Sequence, residues 1–196
     1  AGPGSGRSTD PFSTLAAAEA ASSANDFIYV FYQGDPTPGP DDYDFIGLDA
    51  GITLKEGQTL LGEAVDLVVG IQTLYTGNAA RRTSLTHTAG DVVTLADDNQ
   101  VAGLRLYPVA SAGVAGGPSV TSGTTTIRNV HVLPAGASDG FTFNGQSGTL
   151  TMVDILVDGL AGNMGTGVFI ENASMLAFNS NAMDIRDTGV GLAVIG

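Results

Sequence analysis

The chain contains no cysteine and no tryptophan among its 196 residues. Without cysteine it can build no disulfide framework, no thiolate zinc site and no thiol nucleophile. Basic residues are also scarce: seven Lys and Arg stand against twenty Asp and Glu, a formal net charge of −13. Nucleic-acid binding needs clustered Lys and Arg against phosphate, so that partner class is excluded as an expectation. No apolar run approaches the ~20 residues of a membrane-spanning helix, and the first residues lack the form of a secretory signal. The first residue is not Met, which reads as a processed or excised chain. Charged residues make up only 14% of the chain while hydrophobic ones reach 43%, a balance that argues against global disorder.

Glycine is abundant, with 28 residues. Residues 1–9 read as a linker or assembly arm. Residues 10–25 read as one short helix: Asp10 suits the N-cap, Pro11 the first helical position, and Phe12, Leu15, Ala16 and Ala20 fall on one face. An Ala-rich helix this short needs a surface to lie on. From residue 26 the helical pattern gives way to short alternating strands bounded by Gly, Asn or Asp, beginning with Ile28-Tyr29-Val30-Phe31.

Two strand families recur. One holds Val93-Thr94-Leu95, Phe141-Thr142-Phe143, Val168-Phe169-Ile170 and Leu192-Ala193-Val194, with room for an intervening member near Val120. The other holds Gly103-Leu104-Arg105-Leu106, Asn129-Val130-His131-Val132, Asp154-Ile155-Leu156-Val157 and Asp184-Ile185. Upstream, Ile52-Thr53-Leu54 through Gly62 matches Val93-Thr94-Leu95 through Gly103 at a constant offset. A repeat of 20–30 residues carrying two or three short strands is the signature of a solenoid. Gly62, Gly103, Asn129, Asp154 and Asp184 take one position, just before an apolar strand. These residue types tolerate a left-handed backbone, so they suit a sharp corner repeated in every coil. With strands ~4.8 Å apart, about six coils make a rod roughly 30 Å tall.

The entry sequence adds to this pattern: Asp10-Pro11-Phe12, the Ala-rich helix, Asn25-Asp26-Phe27-Ile28-Tyr29-Val30, a Gly/Pro/Asp loop, then Gly51-Ile52-Thr53-Leu54 through Leu60-Leu61-Gly62. From Asp10 to Gly196 the chain resembles the right-handed parallel β-helix, or pectin-lyase-like, superfamily. It is also similar to β-helix modules of large bacterial surface and secreted proteins. The resemblance implies an all-β, single-domain right-handed parallel β-helix over residues 26–196, with the helix as a cap on its first coil. It implies little about activity, because the fold carries lyases, hydrolases, adhesins and passive stalks.

The catalytic signatures of the family's enzymes are missing. A Trp-Ile-Asp-His motif cannot exist without Trp, Arg81-Arg82 is followed by Thr83 rather than Pro, and no Asn-Thr-Asp, Gly-Asp-Asp, His-Gly or Arg-Ile-Lys occurs. Asp154 and Asp184 would stack one coil apart, near the separation of a carboxylate pair, but their place at the corner favours a backbone role. Asp158, Asp184, Arg186 and Asp187 read as a solvated face with a weak ion pair. His87 and His131 lack metal-ligand spacing and read as ordinary strand histidines. Aromatic residues concentrate in the first half, where Tyr29, Phe31, Tyr32, Tyr43, Phe45, Tyr75 and Tyr107 either stack on sugars or fill the first coils. The densest acid cluster, Asp35, Asp41, Asp42, Asp44 and Asp49, offers hard oxygen ligands, so calcium on Asp41, Asp42 and Asp44 is the metal expectation, without an EF-hand spacing behind it.

A solenoid exposes apolar interior and unpaired strand edges at its ends. The helix serves as a lid at one end. At the other, Leu192, Val194 and Ile195 lie in a matched strand with no polar cap and are the expected assembly residues. The expected partners are further copies stacked end to end, or the rest of a larger surface protein. Charge is uneven in the same sense: residues 1–98 hold 14 acids and 4 bases, residues 99–196 only 6 acids and 3 bases. The leading expectation is a non-enzymatic extracellular structural or adhesive module of a bacterial surface or filament protein. A carbohydrate-active lyase or hydrolase, or a glycan-binding module on the same fold, is the alternative.

Overall fold

The computed structural model describes residues 4–7, 9–33, 45–117, 120, 123–159, 165–172 and 175–195. It is mostly β-strand with one helix, α1 (Leu15–Ala21). In chain order the strands are β1 (Phe27–Val30), β2 (Ile52–Thr53), β3 (Thr59–Gly62), β4 (Leu67–Val69), β5 (Gln72–Tyr75), β6 (Thr83–His87), β7 (Val93–Thr94) and β8 (Gln100–Ala102). They continue with β9 (Leu104–Pro108), β10 (Ala112–Gly116), β11 (Thr124–Val132), β12 (Asp139–Asn144), β13 (Ser147–Asp158), β14 (Thr166–Glu171), β15 (Met175–Arg186) and β16 (Val190–Ile195).

Two parallel sheets dominate. One runs β1-β3-β8-β11-β13-β15, with β6 and β9 alongside; the other runs β2-β7-β10-β12-β14-β16. From β10 onward the chain alternates strictly between them, and from β11 onward each strand pairs with the one laid down two strands earlier. The described residues are thus of the all-β class and mainly parallel, with β4 and β5 forming a separate antiparallel pair.

Alternation along each strand puts one column of side chains inside. Ile28, Leu60, Val101, Ile127 and Met152 align in the first sheet, and Ile52, Val93, Val114, Phe141 and Val168 in the second. All ten are buried and belong to one core cluster. Phe143 stacks near Phe141 at 6.4 Å between ring centroids. Its neighbour in register is Gly116, where a Cβ would come within 2.9 Å of the Phe143 ring. A small residue there is the condition for the large one beside it.

The corner column exists, with two corrections. Gly103, Asn129 and Asp154 have φ of 72°, 52° and 54°, the left-handed region. The last member is Ala182, with φ 52°, not Asp184. Register places Val153 beside Asn181 and Ile155 beside Met183, so Asp154 neighbours Ala182 while Asp184 pairs with Leu156. Gly62 occupies the column but not the left-handed region. There the chain does not run on into a second strand but leaves toward the antiparallel hairpin β4–β5. The intervening member of the other family is also corrected. It is Val114 in β10, between Val93 and Phe141 in register, not a strand near Val120.

The helix is shorter than its sequence pattern. Thr14, not Asp10, is the N-cap, and its hydroxyl accepts from Ala17 N–H at 3.1 Å. Asp10 bridges back to Arg7, and Leu15 N–H donates to Gly47 O at 2.8 Å. The local Arg7 bridge and the long-range bond to Gly47 engage the chain on either side of residues 11–14, and the helix begins only at Leu15. What remains of the helix lays Leu15 and Ala18 on the core beside Ile52. Its C-terminal end is tied down by Lys55, the only lysine, whose Nζ donates to Glu19 O at 2.8 Å and to Ser22 O. Buried Gln58 donates to Ser23 O at 2.7 Å, and the Glu19 carboxylate accepts from Thr53 N–H at 3.0 Å. Asn99, at the equivalent place one pairing further along, is buried too and donates to Lys55 O and Gln58 O.

Candidate functional site

Three places stand out. The first is the outer edge formed by β15 and β16. Register continues the inward columns Val168 and Ile170 into Leu192 and Val194. The earlier members are buried, yet Leu192 is 50% and Val194 67% exposed. Among the described residues β16 pairs with β14 alone, so nothing there covers its other side. Ile195, 50% exposed, aligns with Glu171 and so belongs to the other face. Of the three expected assembly residues, two are therefore core positions left uncovered and one is not. Val190, also half exposed, extends the apolar edge.

The second place lies outside the first sheet. Tyr29, Phe31 and Tyr75 pack together at 5.0–5.8 Å between centroids, so these aromatics neither fill the interior nor stand free. Their anchor is Glu63, 3% exposed. Its carboxylate accepts from Tyr32 N–H at 2.9 Å, from Arg81 at 3.1 Å and from the Tyr75 hydroxyl. Burial pushes this carboxyl up, but the three donors and the Arg81 charge outweigh burial and hold it below the usual carboxylate range. Burial, then Tyr75, Glu63 and Asp66, raise the Tyr29 phenol. The hairpin β4–β5 stands beside this cluster with Val68, Val69, Ile71 and Leu74 exposed. Between its root and the sheet lies an open cavity of about 360 Å³, with Phe27, Leu61 and Val68 on its walls and Asp66 and Arg128 supplying opposite charges. The hairpin had no periodic signal, because it interrupts the repeat rather than belonging to it.

The third place gathers bases that look scattered in sequence. Arg105 and His131 are register neighbours on β9 and β11. Arg82 precedes β6, which flanks β9, and its guanidinium reaches Asn129 at the corner of β11, donating to the side-chain Oδ1 at 2.7 Å and to the main-chain O. Burial first, then Arg82, Arg105 and Arg186, push the His131 imidazole down to about 4. Beyond it, Arg186 bonds Asp158 at 3.0 Å and approaches Asp184 at 3.9 Å, both exposed enough to be the solvated pair expected. Asp154 and Asp184 do not align in register, so no stacked carboxylate pair forms there. The Arg105 to His131 step of 26 residues was the one sequence signal for this cluster.

Asp35, Asp41, Asp42 and Asp44 lie outside the described residues; Asp49 is exposed. Among the described residues no three His, Asp or Glu come close enough to share a metal ion, and no helix is long and apolar enough to cross a membrane. Comparison with protein-family models, with curated proteins and with solved structures finds no match.

Proposed function

We propose that the chain is a right-handed parallel β-helix serving as an extracellular structural or adhesive module of a bacterial surface or filament protein. The alternation of the chain between two parallel sheets supports the β-helix, and parallel crossovers take the right-handed sense in nearly all proteins. The observation that carries the functional reading is the β15/β16 edge, where core columns end in half-exposed Leu192 and Val194. An unpaired parallel edge over an apolar interior favours addition of further β-structure. The occupant proposed is a second copy of this chain, stacked in a heterologous, non-closing contact that extends into a fibre. The smaller charge excess of residues 99–196 lowers repulsion at that edge.

Light scattering across a concentration series, with negative-stain microscopy, tests this. The expected result is mass growing with concentration and rods longer than one molecule, abolished by Leu192→Asp with Val194→Asp. A monomer at every concentration overturns the stacking. A second reading, a glycan-binding or carbohydrate-active module, is favoured by the cavity beside Phe27 and Leu61. Binding on a glycan array, or product released from pectin or alginate, lost on Phe27→Ala, would replace the first reading by the second.

A further inference from the structure

The root of the hairpin β4–β5 lies over part of the outer face of the first sheet, and the two enclose the open cavity of about 360 Å³. Register builds its floor. Phe27, Thr59 and Gln100 form one column across β1, β3 and β8, and Leu61, Ala102 and Arg128 form another across β3, β8 and β11. Val65 packs on Leu61 and Ala102 and fixes the roof, which continues through Asp66 and Val68. The roof sits this low because the corner beneath it is Gly103, where a Cβ would come within 2.8 Å of Val65.

Two opposite charges line this cavity without meeting. Arg128 is half-buried and, among the described residues, its side chain has neither an ion pair nor a hydrogen bond. Asp66 accepts from Gly77 N–H at 2.8 Å through Oδ1, which leaves Oδ2 open, and it makes no ion pair either. A purely anionic ligand would meet Asp66 and a purely cationic one Arg128, so a ligand carrying both charges fits best. Phe27, 47% exposed, with Leu61 and Val68, offers it apolar walls. The volume lies at the small end of ligand pockets, which run from about 300 Å³ upward. We propose that the cavity binds a small zwitterion with an apolar side chain, an amino acid or a dipeptide. Arg128 takes the carboxylate through its planar fork, Asp66 takes the ammonium, and Phe27 and Leu61 pack against the side chain. The side-chain amide of Gln100, which makes no other hydrogen bond among the described residues, is left for the peptide group that a dipeptide adds. The site is separate from the β15/β16 edge, so its test does not depend on stacking.

Calorimetric titration of the full chain at pH 7 with L-phenylalanine, and in a second arm with the dipeptide Leu-Phe, tests the site. Saturable binding in at least one arm is expected. N-acetylation or C-terminal amidation of the ligand should each weaken it at least about tenfold, as should Arg128→Gln and Asp66→Asn, since each removes one charged hydrogen-bonding partner. Arg186→Gln, in an exposed ion pair on β15, should leave it unchanged. Asp66→Asn keeps the side-chain oxygen that Gly77 needs, so this variant keeps the test open if Arg128→Gln fails to fold. Tighter binding of Leu-Phe assigns a peptide ligand; similar or tighter binding of phenylalanine assigns the free amino acid. No saturable binding in either arm, or wild-type affinity in both variants, overturns the proposal, and binding of maltose in place of both zwitterions gives the cavity to a glycan instead.

Discussion

The two ends of the strand stack begin from the same problem and meet it differently. At the β1/β2 end, α1 lays Leu15 over the interior, and Lys55, Gln58 and Glu19 bind the helix to the first strands. At the β15/β16 end the same inward columns finish in Leu192 and Val194, half or more exposed. The columns are alike at both ends; among the described residues a covering segment, α1, is found at the first of them. A repeating architecture supplies its own neighbours everywhere except at its edges, so an edge needs a cover that the repeat itself does not provide.

The comparison is tested most severely by truncating the two leucines. Leu15→Ala removes a side chain 2% exposed at the covered end and should cost about 2–5 kcal/mol. Leu192→Ala should cost about 1 kcal/mol or less in the monomer, since half of that side chain is already in water. Urea midpoints of both variants check this; equal losses would mean that the β15/β16 edge is covered in solution.

Acid should destabilise the chain through two groups, Glu63 and His131. Glu63→Ala leaves Tyr32 N–H and the Tyr75 hydroxyl without their acceptor and should cost about 2 kcal/mol. The pH dependence has the same sign. The Glu63 carboxyl is held low in the folded chain, so its contribution is present above the unfolded value and is lost as pH falls through the folded one. His131 is also held low, at about 4, so the unfolded chain takes up its proton first and stability declines between the ordinary histidine value and about 4. Denaturation from pH 7 downward should therefore show two losses, and His131→Gln should flatten the upper one alone. Hydrogen exchange in acid should release the Tyr75 amide before that of Phe141.

The smallest effect concerns the corners. Ala182 holds φ 52° at the place taken by Gly103, Asn129 and Asp154 elsewhere. Ala182→Gly should stabilise by up to about 1 kcal/mol, because the left-handed region costs a residue with a Cβ roughly that much. A thermal melt with no gain, or a loss, would mean that the corner at the open edge is not fixed as it is in the covered stack.

Much of the strand stack was legible because its spacing is physical. The steps from Phe141 to Val168 to Leu192, and from Gly103 to Asn129 to Asp154, match the register. The pattern misled where residue chemistry and register part company. Asp184 has the right type for a corner, but register assigns that position to Ala182. Asp10 has the right type for a helix cap, but its bridge to Arg7 leaves the cap to Thr14. The β4–β5 hairpin and the Glu63 anchor carry no period, so no spacing announced them.

By itself the sequence determined the strand-rich class, the alternation of inward apolar residues and most of the corners, because these depend on local backbone preference and on a repeat visible along one chain. Only the tertiary structure decided which side chains meet. It brought Arg82 over the corner at Asn129, next to Arg105 and His131. It buried Glu63 under Tyr75 and, among the described residues, exposed Leu192 and Val194 at the end of buried columns. Contacts of that kind are set by register and by excursions between strands. A shift of two residues, as at Ala182 and Asp184, changes every neighbour while leaving the pattern of hydrophobic residues nearly the same.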